Sequence, residues 1–294
     1  MFTENQLSEI KKLISPEKKV VIITHYNPDG DAIGSALGLK HFLNNMGVEP
    51  TVLAPNDFPK FLKWMPDAKK VVIAEYKRKT AGEAIYKADV IFCLDFNAHS
   101  RIGILGDWLM KSWAKKILID HHQQPEDFDY VYSDVTIPAT CQMVYHFIEA
   151  LGREDLVDQN VAECLYTGIM TDTGGFRFRS TSATTHRIVA NLIEKGANPA
   201  MITSNTWDTN SVSRLHLLSL ILGRIELVKD GKVAVLYLKR EELKEFGFEK
   251  GDTEGFVNYG LSIAGTKMAA FFMEDLHEDY IKISFRSKDD VDTN

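Results

Sequence analysis

His25-Tyr26-Asn27-Pro28-Asp29-Gly30-Asp31 packs a histidine and two aspartates into one short stretch. The run before it, Val20-Val21-Ile22-Ile23-Thr24, is apolar and β-branched and reads as a buried strand. After it, Ala32 to Met46 reads as a helix, with Ile33, Ala36, Leu37, Leu43 and Met46 roughly on one face. The polar stretch is therefore a tight strand-to-helix turn, shaped by Pro28 and Gly30. Imidazole and carboxylate are ligands for divalent first-row metals. The turn reads as the first part of a metal site whose partners lie elsewhere in the chain.

Working outward, the same pattern recurs. Asp89-Val90-Ile91-Phe92-Cys93-Leu94 reads as a buried strand that ends at Asp95, and Lys116-Ile117-Leu118-Ile119 as another that ends at Asp120-His121-His122. Pro50 to Ala54 and Lys70 to Ile73 are further strand candidates, and Ala81 to Lys87 and Leu105 to Trp113 read as helices. Continuous apolar strands alternating with helices indicate a parallel sheet covered on both faces. In such sheets ligands bind outside the carboxyl ends of the strands, which is where these polar residues fall. Helices are expected over Ala139 to Gly152 and Gln159 to Met170, the second ending at Thr171-Asp172-Thr173-Gly174-Gly175. Phe176 to Arg179 alternates like a strand, and Ser182 to Gly196 reads as a helix. Beyond residues 198–224 the periodicity changes. Ile225 to Leu238 reads as a hairpin around Asp230-Gly231. Short helices over Lys239 to Phe246 and Thr253 to Ile263 precede strands at Met268 to Glu274 and Tyr280 to Phe285. The expected division is a catalytic domain over 1–200, a linker over 201–220 and a small α+β domain over 221–294.

Composition narrows the classes. The chain has 294 residues, 45% of them hydrophobic, and a formal net charge of -7. That charge argues against bulk electrostatic attachment to long duplex nucleic acid, but not against a small phosphorylated substrate held by metals. Cys93, Cys141 and Cys164 are far apart and form no Cys-x-x-Cys pair, so neither a zinc site nor a disulfide framework is expected. Cys93, in an apolar run, reads as a buried thiol. Met1 to Ser15 lacks the apolar core of a signal peptide, and no run is apolar and long enough to span a membrane. A reducing, cytoplasmic setting is the expectation.

Each candidate ligand has a bland reading. A lone aspartate at a strand end is usually a cap or surface residue, His121-His122 can be a solvated pair, and Asp172 can cap a turn. Together they say more. Asp29, Asp31, Asp95, Asp120, Asp172, His25, His121 and His122 all fall at element ends, several after apolar runs. The set is oxygen-rich with some imidazole, which suits Mn²⁺ or a similar ion. It is too large for one ion, and a metal pair ~3.5–4 Å apart stabilises attacking and leaving oxygens in a displacement at phosphorus.

These motifs resemble the DHH phosphoesterase family. The match comprises His25-x-x-x-Asp29-x-Asp31-Ala32-x-Gly34-Ser35, then Leu94-Asp95 with Arg101 downstream, Asp120-His121-His122, and Thr171-Asp172-Thr173-Gly174. The final region, ending Ser284-Phe285-Arg286-Ser287, is similar to the DHHA1 domain that accompanies it. The resemblance implies an α/β fold: a mostly parallel-sheet N-terminal DHH domain with helices on both faces, plus a smaller α+β C-terminal DHHA1 domain. It is nearest the nanoRNase A-like subgroup, which hydrolyses short oligoribonucleotides from the 3' end and removes the 3'-phosphate of 3'-phosphoadenosine 5'-phosphate (pAp).

On that resemblance one Mn²⁺ is held by His25, Asp29 and Asp95, and a second by Asp31, Asp95, His121 and Asp172, with Mg²⁺ or Co²⁺ as substitutes. Asp95, Asp120, His121 and His122 form the catalytic group, with Asp120 orienting His121. His122 and Arg101 meet the substrate phosphate, and Arg286 and Ser287 close on it from the second domain. A homodimer fits the resemblance, and a membrane or long duplex partner does not. Relatives of this type continue past the Arg-Ser pair to a Gly-Gly-Gly-His segment that helps hold the substrate's end. This sequence stops at Asn294, so the second domain is expected to be cut short, with the metal centre intact. The rival readings are a phosphodiesterase of linear or cyclic dinucleotides, a pyrophosphatase or polyphosphatase, and a metal-dependent nucleotide-binding module without turnover.

Overall fold

The structure, a computed structural model, describes residues 1–249 and 251–288. Residues 289–294, the end of the expected second domain, lie outside the described residues. The chain divides into two compact units, Met1–Asp208 and Thr209–Asn294.

The first unit runs α1 (Glu4–Leu13), β1 (Val20–Ile23), α2 (Gly30–Asn45), β2 (Thr51–Ala54), β3 (Val72–Ile73), α3 (Arg78–Lys87), β4 (Val90–Leu94), α4 (Ile104–Lys111), β5 (Lys115–Asp120), β6 (Tyr130–Ser133), α5 (Thr140–Leu151), α6 (Gln159–Asp172), α7 (Ala183–Glu194) and α8 (Pro199–Thr206). Its strands form one sheet in the order β3-β2-β1-β4-β5-β6, and every neighbouring pair is parallel. The chain lays β1, moves outward to β2 and β3, then crosses back to set β4 on the other side of β1. The crevice at such a reversal, beyond the strand carboxyl ends, is where this kind of sheet binds ligands. Register does the rest. Ile23 pairs with Cys93 and Leu94 with Ile119, so His25, Asp95 and Asp120 emerge at one level on adjacent strands.

The uninterrupted apolar strands are explained by burial on both faces. Val20, Ile22, Phe92 and Leu94 join one core with Leu37 of α2, Phe147 of α5 and Leu165 of α6. Val21, Ile23, Ile91 and Cys93 join another with Ile85 of α3 and Leu109 of α4. Helices α2 and α6 lie unusually close. A Cβ on Gly30 would collide with the Thr171 side chain, and one on Gly168 with Cys141 and Asp31. Only glycine at these two positions lets the helices approach closely enough to bring Asp31 and Asp172 together.

Three local readings change. Phe176 to Arg179 is a turn, not a strand, because Gly174, Gly175 and Phe176 all have positive φ and coil the backbone. Strand β6 was not foreseen. It is a four-residue edge strand whose Tyr130 and Ser133 are only half-buried, so it lacks the long apolar run of its neighbours. The span 201–220 holds most of two helices. Of these, α8 buries Ile202 in the first unit. Helix α9 (Val212–Gly223) buries Leu217 and Ile221, spaced one helical turn apart, in the second.

The second unit continues with β7 (Glu226–Val228), β8 (Val233–Leu238), α10 (Arg240–Glu245), α11 (Phe256–Leu261), β9 (Met268–Glu274) and β10 (Ile281–Ser287). Its mixed sheet has the order β10-β9-β8-β7. Ala234, Leu236 and Leu238 of β8 and Ala269, Phe271 and Met273 of β9 face a core shared with α9 and with Phe256 of α11. Among the described residues, no helix is long and apolar enough to cross a membrane.

Candidate metal centre

The turn after β1 is built by local hydrogen bonds. Asp29 caps α2, its Oδ1 accepting from the amides of Asp31 and Ala32 at 3.0 Å each. Asn27 takes a positive φ and is clasped by Asn56 after β2: its amide donates to Asn56 Oδ1 at 2.7 Å, and Asn56 Nδ2 donates back to its Oδ1 at 2.8 Å. Asp95, one residue past β4, sits at φ 65°, a conformation Asp and Asn tolerate better than most residues. It directs its carboxylate, 1% exposed, into the crevice.

The side chains converge as follows. His25 Nε2 lies 3.4 Å from Asp95 Oδ2 and 3.8 Å from Asp29 Oδ1. His121 Nε2 lies 3.4 Å from Asp95 Oδ1, 3.5 Å from Asp172 Oδ2 and 3.9 Å from Asp31 Oδ2. His122 Nδ1 lies 3.8 Å from Asp95 Oδ1. Three groups result, each with its donor atoms within 4.8 Å of one another: His25, Asp29 and Asp95; Asp31, His121 and Asp172; and Asp95, His121 and His122. Asp95 belongs to two of them and uses both of its oxygens.

Each imidazole is aimed from behind. His25 Nδ1 is 2.9 Å from the Tyr26 carbonyl, His121 Nδ1 is 3.3 Å from the Ile137 carbonyl, and His122 Nδ1 is 2.7 Å from Asp120 Oδ1. Facing a carbonyl, Nδ1 carries the proton, which leaves Nε2 of His25 and His121 free to ligate a metal. This corrects one expectation: Asp120 orients His122, not His121. Residues two apart at a strand end share a side, so Asp120 faces His122. The buried Asp120 Oδ2 has no hydrogen-bond partner among the described residues.

Sequence reading also missed the backing of Asp31. Its Oδ2 accepts from the Thr140 amide at 2.6 Å and its Oδ1 from the Cys141 amide at 2.8 Å. These are the first amides of α5, so a helix N-terminus steadies this fully buried carboxylate. The Thr140 hydroxyl donates to Asp95 Oδ1 at 2.9 Å. Thr140 lies far from either aspartate in sequence, and the one visible signal was the start of a helix near Ala139.

The electrostatics are those of a site with too much negative charge. Burial, then the charge of Asp95, pushes Asp31 up to about 7, against the pull of His121. Burial, with Asp31, Asp29 and Asp95 alongside, holds Asp172 well above the usual carboxylate range. Burial opposes charge on both histidines, but the carboxylates prevail. Asp29 and Asp95 raise His25, and Asp95, Asp31 and Asp172 raise His121 to about 10. Asp95 is resisted by burial yet held low by His121 and His25. Protons thus stand where cations would otherwise balance the carboxylates. Mixed carboxylate and imidazole donors with pre-aimed Nε2 atoms fit divalent first-row ions and carry no thiolate.

Arg101, in the loop after β4, is exposed, and its carbonyl accepts from the Tyr26 amide at 2.7 Å. Arg286 and Ser287 lie on β10 of the second unit, with Arg286 exposed and its guanidinium on the Phe285 carbonyl at 2.9 Å. The seven clustered side chains all belong to the first unit.

A family model described as the DHH family, N-terminal domain, matches residues 19–169, which contain every clustered residue but Asp172. The chain belongs to the DHH family. As a DHH protein it is a metal-dependent phosphoesterase. It is 30% identical over 97% of its length, and 80% of the relative's, to the bifunctional oligoribonuclease and PAP phosphatase NrnA of Thermus thermophilus. It is 25% identical to the Bacillus subtilis protein of the same description, over 97% of this chain and 86% of that one. Among solved structures it is similar to an exopolyphosphatase-related protein from Bacteroides fragilis, with 40% identity and a TM-score of 0.94 over 98% of this chain and 84% of that one.

Proposed function

We propose that this DHH protein hydrolyses short oligoribonucleotides from the 3' end to mononucleotides and removes the 3'-phosphate of pAp, using two Mn²⁺ ions. The observation that carries the reading is a pair of donor groups that meet at Asp95: His25 and Asp29 group with its carboxylate, while Asp31, His121 and Asp172 form a second group whose His121 Nε2 lies 3.4 Å from Asp95 Oδ1. The two relatives described as oligoribonuclease and PAP phosphatase, aligned over nearly the whole chain, favour nucleotide phosphoesters as the substrate class. When bound, the ions supply Lewis acidity toward the phosphoryl oxygens and an acidified water.

The chain's own residues do the rest. His25, Asp29 and Asp95 hold one ion, and Asp31, Asp95, His121 and Asp172 the other. The amides of Thr140 and Cys141 fix Asp31, and the Ile137 and Tyr26 carbonyls fix the two ligating histidines. Asp120 holds the His122 ring so that Nε2 can meet a phosphoryl oxygen, and Arg101 offers a guanidinium beside the β1 turn. The three cysteines are free and buried, in keeping with a cytoplasmic setting.

One assay panel tests the reading. With Mn²⁺, pAp and two- to five-residue RNA should be cleaved faster than linear di-adenylate, a cyclic dinucleotide or polyphosphate. Phosphate released from polyphosphate alone would overturn it, and preferential turnover of the cyclic dinucleotide would move the chain to the messenger phosphodiesterases.

A further inference from the structure

Beside the metal cluster, the same rim of the sheet carries a strip of aromatic and cationic side chains that neither the fold nor the metal ligands explain. It begins directly after His25 with Tyr26, which is 52% exposed. The Tyr26 amide ties this turn to Arg101 on one side. The Asn27–Asn56 clasp ties it to the loop after β2 on the other. That loop is tied in turn to the loop after β3, through the Glu75 amide on the Pro55 carbonyl at 3.0 Å. There Tyr76 is 67% exposed, and Lys77, Arg78 and Lys79 follow it, all exposed. The strip thus leads, loop by bonded loop, from the β1–β4 crevice toward the β3 edge.

Its charge is out of keeping with its surroundings. The chain carries a net charge of -7, yet Lys77, Arg78 and Lys79 stand together here beside a single neighbouring carboxylate, Glu75. Arg78 lies over the Trp108 ring of α4 at 5.8 Å, but the cations at 77–79 are poorly placed for helix α3. They open it without a side-chain cap and without an acidic residue in its first turn, where the helix dipole disfavours positive charge. Neither Lys77 nor Arg101 has a carboxylate partner among the described ion pairs, while Lys79 reaches Glu83 only at 4.0 Å. Exposed aromatics interleaved with unneutralised cations are what single-stranded nucleic acid needs: rings for bases, charges for the backbone.

We infer that Tyr26, Arg101 and the Tyr76–Lys79 stretch form a track for the nucleotides beyond the scissile phosphate of a single-stranded substrate. Tyr26 is the stacking platform nearest the metals, and Lys77 and Lys79 are contacts for the phosphates farther along. The inference rests on the nucleotide reading above and adds which residues select for chain length. pAp, with one nucleoside, ends near Tyr26, whereas a pentanucleotide reaches Lys77 and Lys79.

The test is fluorescence anisotropy of labelled pentanucleotide RNA over a salt series, on the full chain carrying Asp95→Asn to prevent turnover, together with kcat/KM for pentanucleotide and pAp in the wild-type background. Adding Lys77→Gln and Lys79→Gln should weaken pentanucleotide binding about tenfold and make the salt slope shallower by about 1.4, at ~0.7 per lost phosphate contact on a single strand. The ratio of pentanucleotide to pAp turnover should fall with it. Tyr26→Ala should weaken binding about tenfold, and Tyr26→Phe, which keeps the ring, should restore it. Lys87→Gln, at the far end of α3 and paired with Glu83 at 3.6 Å, removes one charge off the track and should leave the slope at its parent value. A protein that hydrolyses RNA but keeps its slope and length ratio in the Lys77/Lys79 variant overturns this inference alone, as does a Tyr26→Phe variant as weak as Tyr26→Ala. A protein that binds no pentanucleotide and cleaves only polyphosphate overturns the nucleotide reading and the track together.

Discussion

Asp89 and Asp129, just before β4 and β6, meet lysines. Asp89 lies 3.6 Å from Lys18 Nζ and accepts from the Lys19 amide at 2.8 Å, while Asp129 accepts from Lys115 Nζ at 2.7 Å and from the Lys116 amide at 3.0 Å. At the opposite end of the same strands, Asp31, Asp95 and Asp172 meet one another and histidines. The two ends share a sheet and differ in whether charge is matched. The matched end adds a little stability, and the unmatched end holds carboxylates the chain alone cannot neutralise. Unbalanced buried charge at strand carboxyl ends is thus a signature of a site completed by something the chain does not supply.

The largest expected effect is at Asp95, the carboxylate that faces both His25 and His121. Asp95→Asn keeps the left-handed backbone and an acceptor for the Thr140 hydroxyl, but removes the charge that faces both His25 and His121. Turnover should fall about a thousandfold or more, equal to several kcal/mol of transition-state stabilisation, with the circular dichroism spectrum intact. Retained turnover would separate catalysis from this cluster. Asp172→Asn sharpens the contrast. Metal-free, it relieves repulsion from Asp31, Asp29 and Asp95, and should raise the first unit's melting temperature by about 2–4 °C, the shift expected for ~1 kcal/mol in a domain of this size. It should also reduce activity. A lower melting temperature in EDTA would mean that the carboxylate is satisfied without a cation.

The smallest effect belongs to the matched end. Burial pushes the Asp129 carboxyl up, but the Lys115 ammonium and the Lys116 amide prevail and hold it below its ordinary value. A depressed carboxylate contributes stability above its unfolded pKa of ~3.9 and loses it as pH falls through the folded value. Asp129→Asn should therefore cost about 0.5–1 kcal/mol at pH 7, and the difference from wild type should shrink in urea melts below about pH 3.5. A difference that persists at low pH would assign the bond's value to packing.

Much of this was legible in sequence because it is written in local pattern. Apolar runs ending in Asp95 or Asp120-His121-His122 marked both the strands and the side chains that cluster at their ends, and Asp230-Gly231 marked the hairpin of the second unit. What escaped depends on contacts between distant segments. The α5 amides behind Asp31 and the Ile137 carbonyl behind His121 leave no spacing signal. They arise only when α2, α5 and α6 close over the end of the sheet. Strand β6 and the turn at Phe176 to Arg179 escaped for a different reason: short alternation is weak evidence against edge position and positive φ.

The central claim is that Asp95 joins two donor groups into one two-ion centre. Mn²⁺ titration of the EDTA-stripped protein, followed by electron paramagnetic resonance and calorimetry, tests it directly. The expected result is two ions per chain with a spin-coupled signal at saturation, and loss of that coupling in Asp95→Asn. A single ion per chain, or two uncoupled ions indifferent to Asp95→Asn, would contradict it.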